Sequence, residues 1–141
     1  MDFYIIALAI GLAGLVIGET LAKSSLEAMG KNPEMGTFLV LTILGIALVE
    51  SAAIYALIIS FQVIGLDPAS EILAWKVIGA LAIGFALGAG VEGKLVSGAM
   101  DAILRNPEMK GKIMTYMVLF LALVEAVAIY GLIIALNLIG G

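Results

Sequence analysis

Four glutamates stand where an acid is least at home. Glu50 interrupts the apolar run "LVESAAIY" (residues 48–55), Glu125 interrupts "LVEAVAIY" (123–130), and Glu19 and Glu92 lie inside two further apolar stretches. A charged side chain at the centre of a bilayer costs at least ~2.5 to 3.5 kcal/mol, so such residues tend to mark ion or proton paths. Two facing carboxylates in a low dielectric cannot both stay ionised. The pair must hold a proton, a cation, or both, and a hard cation such as Na+ suits oxygen ligands. Ser51 follows Glu50 directly, and backbone carbonyls supply further oxygens. Tyr55 and Tyr130 each follow an acid by five residues, ~140° around a helix and ~7.5 Å along it. That offset suits a carboxylate on an adjacent helical hairpin better than the tyrosine's own. Ser51, ~100° from the face of Glu50, is likewise placed for a neighbouring site, although a serine in a membrane helix often only bonds the carbonyl four residues back. The plainer use of each acid is as a protonated staple between helices.

The elements that must position these acids follow from composition. The chain has 141 residues, 63% of them hydrophobic and 13% charged. Apolar stretches at roughly 3–29, 36–64, 72–103 and 112–139 each exceed the ~20 residues a helix needs to cross a bilayer. Lipid offers the backbone no hydrogen bonds, so all four are expected to be helices, giving an all-α membrane protein of four transmembrane helices. No basic segment precedes "FYIIALAIG", which argues against a cleaved signal peptide. With no cysteine and no histidine, disulfides, thiolate chemistry and the commonest general base are excluded.

The chain is also duplicated. "KNPEM" (31–35) recurs as "RNPEM" (105–109), "ALAIG" (7–11) recurs at 80–84, and the octet around Glu50 recurs 75 residues on. Two tandem hairpins are expected, residues 1–66 and 67–141, each turning at Asn-Pro. The midpoint between Glu19 and Glu50 falls at the Glu34–Met35 step, and that between Glu92 and Glu125 at Glu108–Met109. Each hairpin therefore brings two acids to one depth, about 15 residues or roughly 20 Å from its turn, near mid-membrane. Six of the seven cations (Lys23, Lys31, Lys94, Arg105, Lys110, Lys112) lie in or near the two Asn-Pro loops. Those loops are therefore expected in the cytoplasm, with both termini outside. Trp75 suits the interfacial aromatic belt. Small residues (Ala7, Gly11, Gly14, Gly18, Ala22, Ser25; then Gly84, Ala86, Gly88, Gly90) would let helices approach closely. No Gly-Lys-Ser/Thr ending makes any of these runs a phosphate loop.

Taken together, the glycine-rich first helix, the loops "KNPE" and "RNPE", and the second helices with "ALVE" then "IYALII" or "IYGLII" resemble the c subunit, or proteolipid, of rotary ATP synthases and ATPases. The resemblance covers essentially the whole chain, once per hairpin. It implies a non-catalytic rotor subunit, without cofactor and without nucleic acid. Identical chains would form a ring in lipid, passing a stator subunit of a/I type, in what is expected to be a prokaryotic plasma membrane. By the resemblance, Glu50 and Glu125 are the carriers of Na+ or, alternatively, H+. Glu19 and Glu92 fall at or beside the glutamine position of sodium-binding members, whose carrier is followed by Ser or Thr and, five residues on, by Tyr. The loop residues Lys31, Asn32, Pro33, Glu34, Arg105, Asn106, Pro107 and Glu108 would contact the central stalk. The length resembles V-type proteolipids, but both carriers are kept. Two features depart from the pattern: Ala126 replaces the expected hydroxyl, and the glycine run in the third span is slightly out of phase with Glu92. If hydroxyls act across hairpins, sites with Ser51 would alternate around the ring with sites facing Ala126. A rival reading, a four-helix multidrug-type transporter, predicts one acid near the start of the first span and an aromatic pocket, whereas this sequence has paired acids in both repeats, strongly asymmetric loop charges and little aromatic clustering within the spans.

Overall fold

The structure is a computed structural model that describes residues 35–65, 71–81 and 87–140, together with Ala9, Val16, Thr20, Leu21, Lys23, Ser24, Glu27, Gly30 and Lys31. All elements among the described residues are helical. In chain order they are α1 (Met35–Ile64), α2 (Glu71–Leu81), α3 (Leu87–Arg105), a single 3-10 turn (Pro107–Met109) and α4 (Lys110–Gly140). The stretch 72–103, expected as one span, is described as α2 and α3 on either side of residues 82–86, which lie outside the described residues. The small-residue positions Ala7, Gly11, Gly14, Gly18, Ala22, Ser25, Gly84 and Ala86 also lie outside them.

Among the described residues, two helices are long and apolar enough to cross a membrane, over Leu39–Ile64 and Pro107–Gly140. At ~1.5 Å per residue, the 30 residues of α1 and the 31 of α4 reach about 45 Å each, more than the hydrocarbon thickness. The chain is an all-α membrane protein of two hairpins. Between α3 and α4 the turn is built as the sequence requires. Asn106 leaves helical geometry (φ −145°, ψ 72°) ahead of Pro107, and Met109 N–H donates to the Asn106 carbonyl at 3.0 Å to close the turn.

Packing between helices relies on small side chains that admit a close approach. Ala52 and Ala56 of α1, Ala89 and Ala99 of α3, and Ala128, Gly131 and Ala135 of α4 are all buried, among Leu41, Val49, Ile59, Val96, Met100 and Leu121. Leu21 joins the same core. Away from it the helices expose large apolar residues such as Ile43, Phe61, Leu123 and Ile133, as suits lipid or further copies of the chain.

Gly45 marks a close approach between α1 and α3. A Cβ there would lie 2.8 Å and 2.9 Å from the two γ-carbons of Val96, itself fully buried. Valine is stiff at χ1 and cannot swing aside. Gly45→Ala is therefore expected to destabilise the α1–α3 contact by about 1 to 3 kcal/mol, the usual cost of overpacking. Thermal unfolding in detergent checks this: the midpoint should fall in Gly45→Ala and recover when Val96→Ala is added. A Gly45→Ala protein as stable as the parent would refute the close contact.

Candidate ion-binding site

Tight α1–α3 packing sets Glu92, on α3, opposite the face of α1 that carries Ser51 and Tyr55. Those two residues are four apart, one helical turn, and so share a face. Both reach Glu125 on α4. Ser51 Oγ lies 2.9 Å from Glu125 Oε1 and 3.1 Å from Oε2, and Tyr55 OH donates to Oε1 at 3.0 Å. Glu92 lies close to Glu125 and is almost wholly buried, 2% exposed. Its Oε1 is buried without a hydrogen-bond partner.

The cluster is short of protons. Two carboxyls this close in a low dielectric cannot both stay ionised. Ser51 has one hydroxyl proton but lies near three acceptors, because its Oγ is also 2.6 Å from the Leu48 carbonyl. The Tyr55 hydroxyl supplies one more donor. Two carboxyls, two hydroxyls and a carbonyl thus converge, rich in oxygen and poor in protons. An unpaired buried acceptor such as Glu92 Oε1 is costly. A proton or a hard cation placed among these oxygens would meet that need.

Of the other residues singled out in the sequence, those that the structure describes lie apart from this cluster. Glu50 is exposed on the outer face of α1, in a stripe with Ile43, Ala47, Ile54 and Phe61. Tyr130 is exposed on α4. Glu19, Asn32, Pro33 and Glu34 lie outside the described residues, whereas Lys31, Arg105, Asn106, Pro107 and Glu108 are all exposed. The Leu48 carbonyl was not singled out in the sequence. Its only signal there is the serine three residues later, a weak one, since the usual serine back-bond reaches four.

The family model for the ATP synthase c subunit matches twice, over residues 4–63 and 77–138, and so spans most of the chain. The chain belongs to the ATP synthase c-subunit family. Among its relatives, the ATP synthase c subunit of Chloroflexus aurantiacus is 53% identical over 58 residues, 40% of this chain and 76% of the relative. That of Dehalococcoides mccartyi is 45% identical over 69 residues, 45% of this chain and 91% of the relative. The chloroplastic c subunit of Antithamnion sp. is 39% identical over 74 residues, 52% of this chain and 87% of the relative. Each relative spans about one hairpin of a chain that carries two. As a duplicated member of this family, the protein is a non-catalytic, ion-translocating rotor subunit in the membrane. The multidrug-transporter alternative is not favoured.

Proposed function

We propose that the chain carries Na+ on mid-membrane glutamates, Glu50 and Glu125, assisted by Glu19 and Glu92. Its two ion-carrying hairpins are residues 1–66 and 67–141. The observation that carries the reading is the meeting of Ser51, Tyr55 and Glu125 with the buried Glu92 at one partly buried point, with Glu92 Oε1 left unpartnered. In the loaded state one carboxylate of a pair is ionised and its partner protonated, so that with Na+ the site is neutral. Neutrality is what lets a site travel through lipid. Around each chain the partners are identical copies in a ring, a stator subunit, and central-stalk subunits at the exposed Arg105–Glu108 turn and its counterpart Lys31–Glu34. The clustering of cations near those turns supports a cytoplasmic position for them, with both termini outside, in a prokaryotic plasma membrane.

Carbodiimide labelling of the assembled ring tests the reading, since the reagent attacks a protonated carboxyl in an apolar setting. Glu50 and Glu125 are expected to be modified, and Na+ near neutral pH is expected to slow the reaction. Labelling confined to Glu19 and Glu92 would reverse the roles of the two kinds of acid. A rate that follows pH and ignores high Na+ would make the ring a proton rotor.

A further inference from the structure

The internal duplication lets one hairpin contact serve as the template for the next. Ser51 and Tyr55 act on Glu125 across the boundary between the two hairpins of a single chain. Seventy-five residues on, the positions equivalent to Glu50, Ser51 and Tyr55 are Glu125, Ala126 and Tyr130. On α4 that equivalent face is turned outward: Tyr130 is 62% exposed, beside exposed Leu123 and Val127. Glu50 is exposed on the outer stripe of α1. A head-to-tail contact between copies, of the kind that closes a ring, would set the outer face of α4 in one copy against Glu50 in the next. It would repeat between chains what α1 and α4 already do within one.

We propose that the ring alternates two unequal ion sites, a tight one inside each chain at Glu125 and a looser one between chains at Glu50. This rests on the ion-carrying role proposed above. The site at Glu50 receives Tyr130 from the neighbouring copy, but the methyl of Ala126 stands where Ser51 offers its hydroxyl to Glu125. A methyl neither donates to the carboxylate nor lends an oxygen to a cation. Losing a hydrogen bond to a charged group corresponds to an affinity change of about tenfold or more. Water entering the gap would recover part of it. The unpaired Oε1 of Glu92 belongs to the tight site, where it is an oxygen still free for the ion. Between the two affinities there is a range of Na+ concentration in which every second site is loaded.

The experiment is to titrate Na+ protection of Glu50 and Glu125 against carbodiimide in the intact ring, following the two glutamates separately by mass spectrometry of their peptides. Half-protection of Glu125 is expected at a Na+ concentration about tenfold or more below that of Glu50. Ser51→Ala should move the Glu125 midpoint up toward that of Glu50, and Ala126→Ser should bring the Glu50 midpoint down. Should Ser51→Ala rings fail to assemble, Ala126→Ser carries the test as a gain of affinity. Coincident curves in the parent ring would overturn the inequality and leave the sodium reading standing, as would an Ala126→Ser change that left the Glu50 midpoint in place. Protection of neither glutamate would remove the sodium reading and this inference with it.

Discussion

A ring built from Glu125→Gln chains is expected to assemble and to lose ion-coupled activity down to the uncoupled background. The amide has nearly the shape of the carboxyl, and its oxygen can still accept from the Ser51 and Tyr55 hydroxyls that meet Glu125 at 2.9 Å and 3.0 Å. Packing of α1 against α4 should therefore survive. What the amide cannot do is alternate between a charge that holds an ion and a neutral group that has released or exchanged it, because it does not ionise. Ion transport into vesicles driven by ATP hydrolysis is the measurement, with the oligomer monitored on a gel. Parent-level transport in Glu125→Gln would mean that Glu125 is only a hydrogen-bonding staple, the plainer use of a membrane carboxyl. Glu125→Asp keeps the charge but shortens the reach to both hydroxyls, so it should retain partial activity.

Much of this site is legible in the sequence, and the reasons are geometric. The two Asn-Pro turns act as fixed marks, and equal distances from them set Glu92 and Glu125 at one depth. A helix turns ~100° per residue, so Ser51 and Tyr55 cannot easily face their own Glu50, and a carboxylate on another hairpin is the natural target. Which carboxylate cannot be read from the sequence. Glu50 and Glu125 occupy equivalent places in the repeat, and the choice depends on which flank of the second hairpin packs against α1. Gly45 against Val96 is likewise a property of packing. Both residues are ordinary members of apolar helices, and no local pattern pairs them across 51 positions of sequence. The Leu48 carbonyl is hidden for another reason: every residue has a carbonyl, and only the 2.6 Å contact with Ser51 singles this one out.

Glu92 offers a sharper separation between its charge, its hydrogen bond and its bulk. In the loaded site proposed above it would be the protonated partner, donating to Glu125, with its otherwise unpartnered Oε1 left for the ion. Glu92→Gln fixes that arrangement permanently, because the amide NH2 donates toward Glu125 and the amide oxygen replaces Oε1. Na+ protection of Glu125 should then remain close to that of the parent. Glu92→Leu fills a similar space with nothing that donates or accepts, in a position only 2% exposed, where water has little access. Glu125 would lose the hydrogen bond proposed from Glu92, worth about 1.5 to 3 kcal/mol to a charged group, which is roughly ten- to a hundredfold in affinity. The concentration of Na+ needed to protect Glu125 from carbodiimide should rise by that factor in Glu92→Leu. Because Glu92 belongs to the site inside the chain, the protection curve of Glu50 should move far less in the same protein. Equal losses in Glu92→Gln and Glu92→Leu would show that the ionisable oxygen, and not the hydrogen bond, is what the site requires of Glu92. A Glu92→Leu ring that bound Na+ as the parent does would exclude Glu92 from the site altogether.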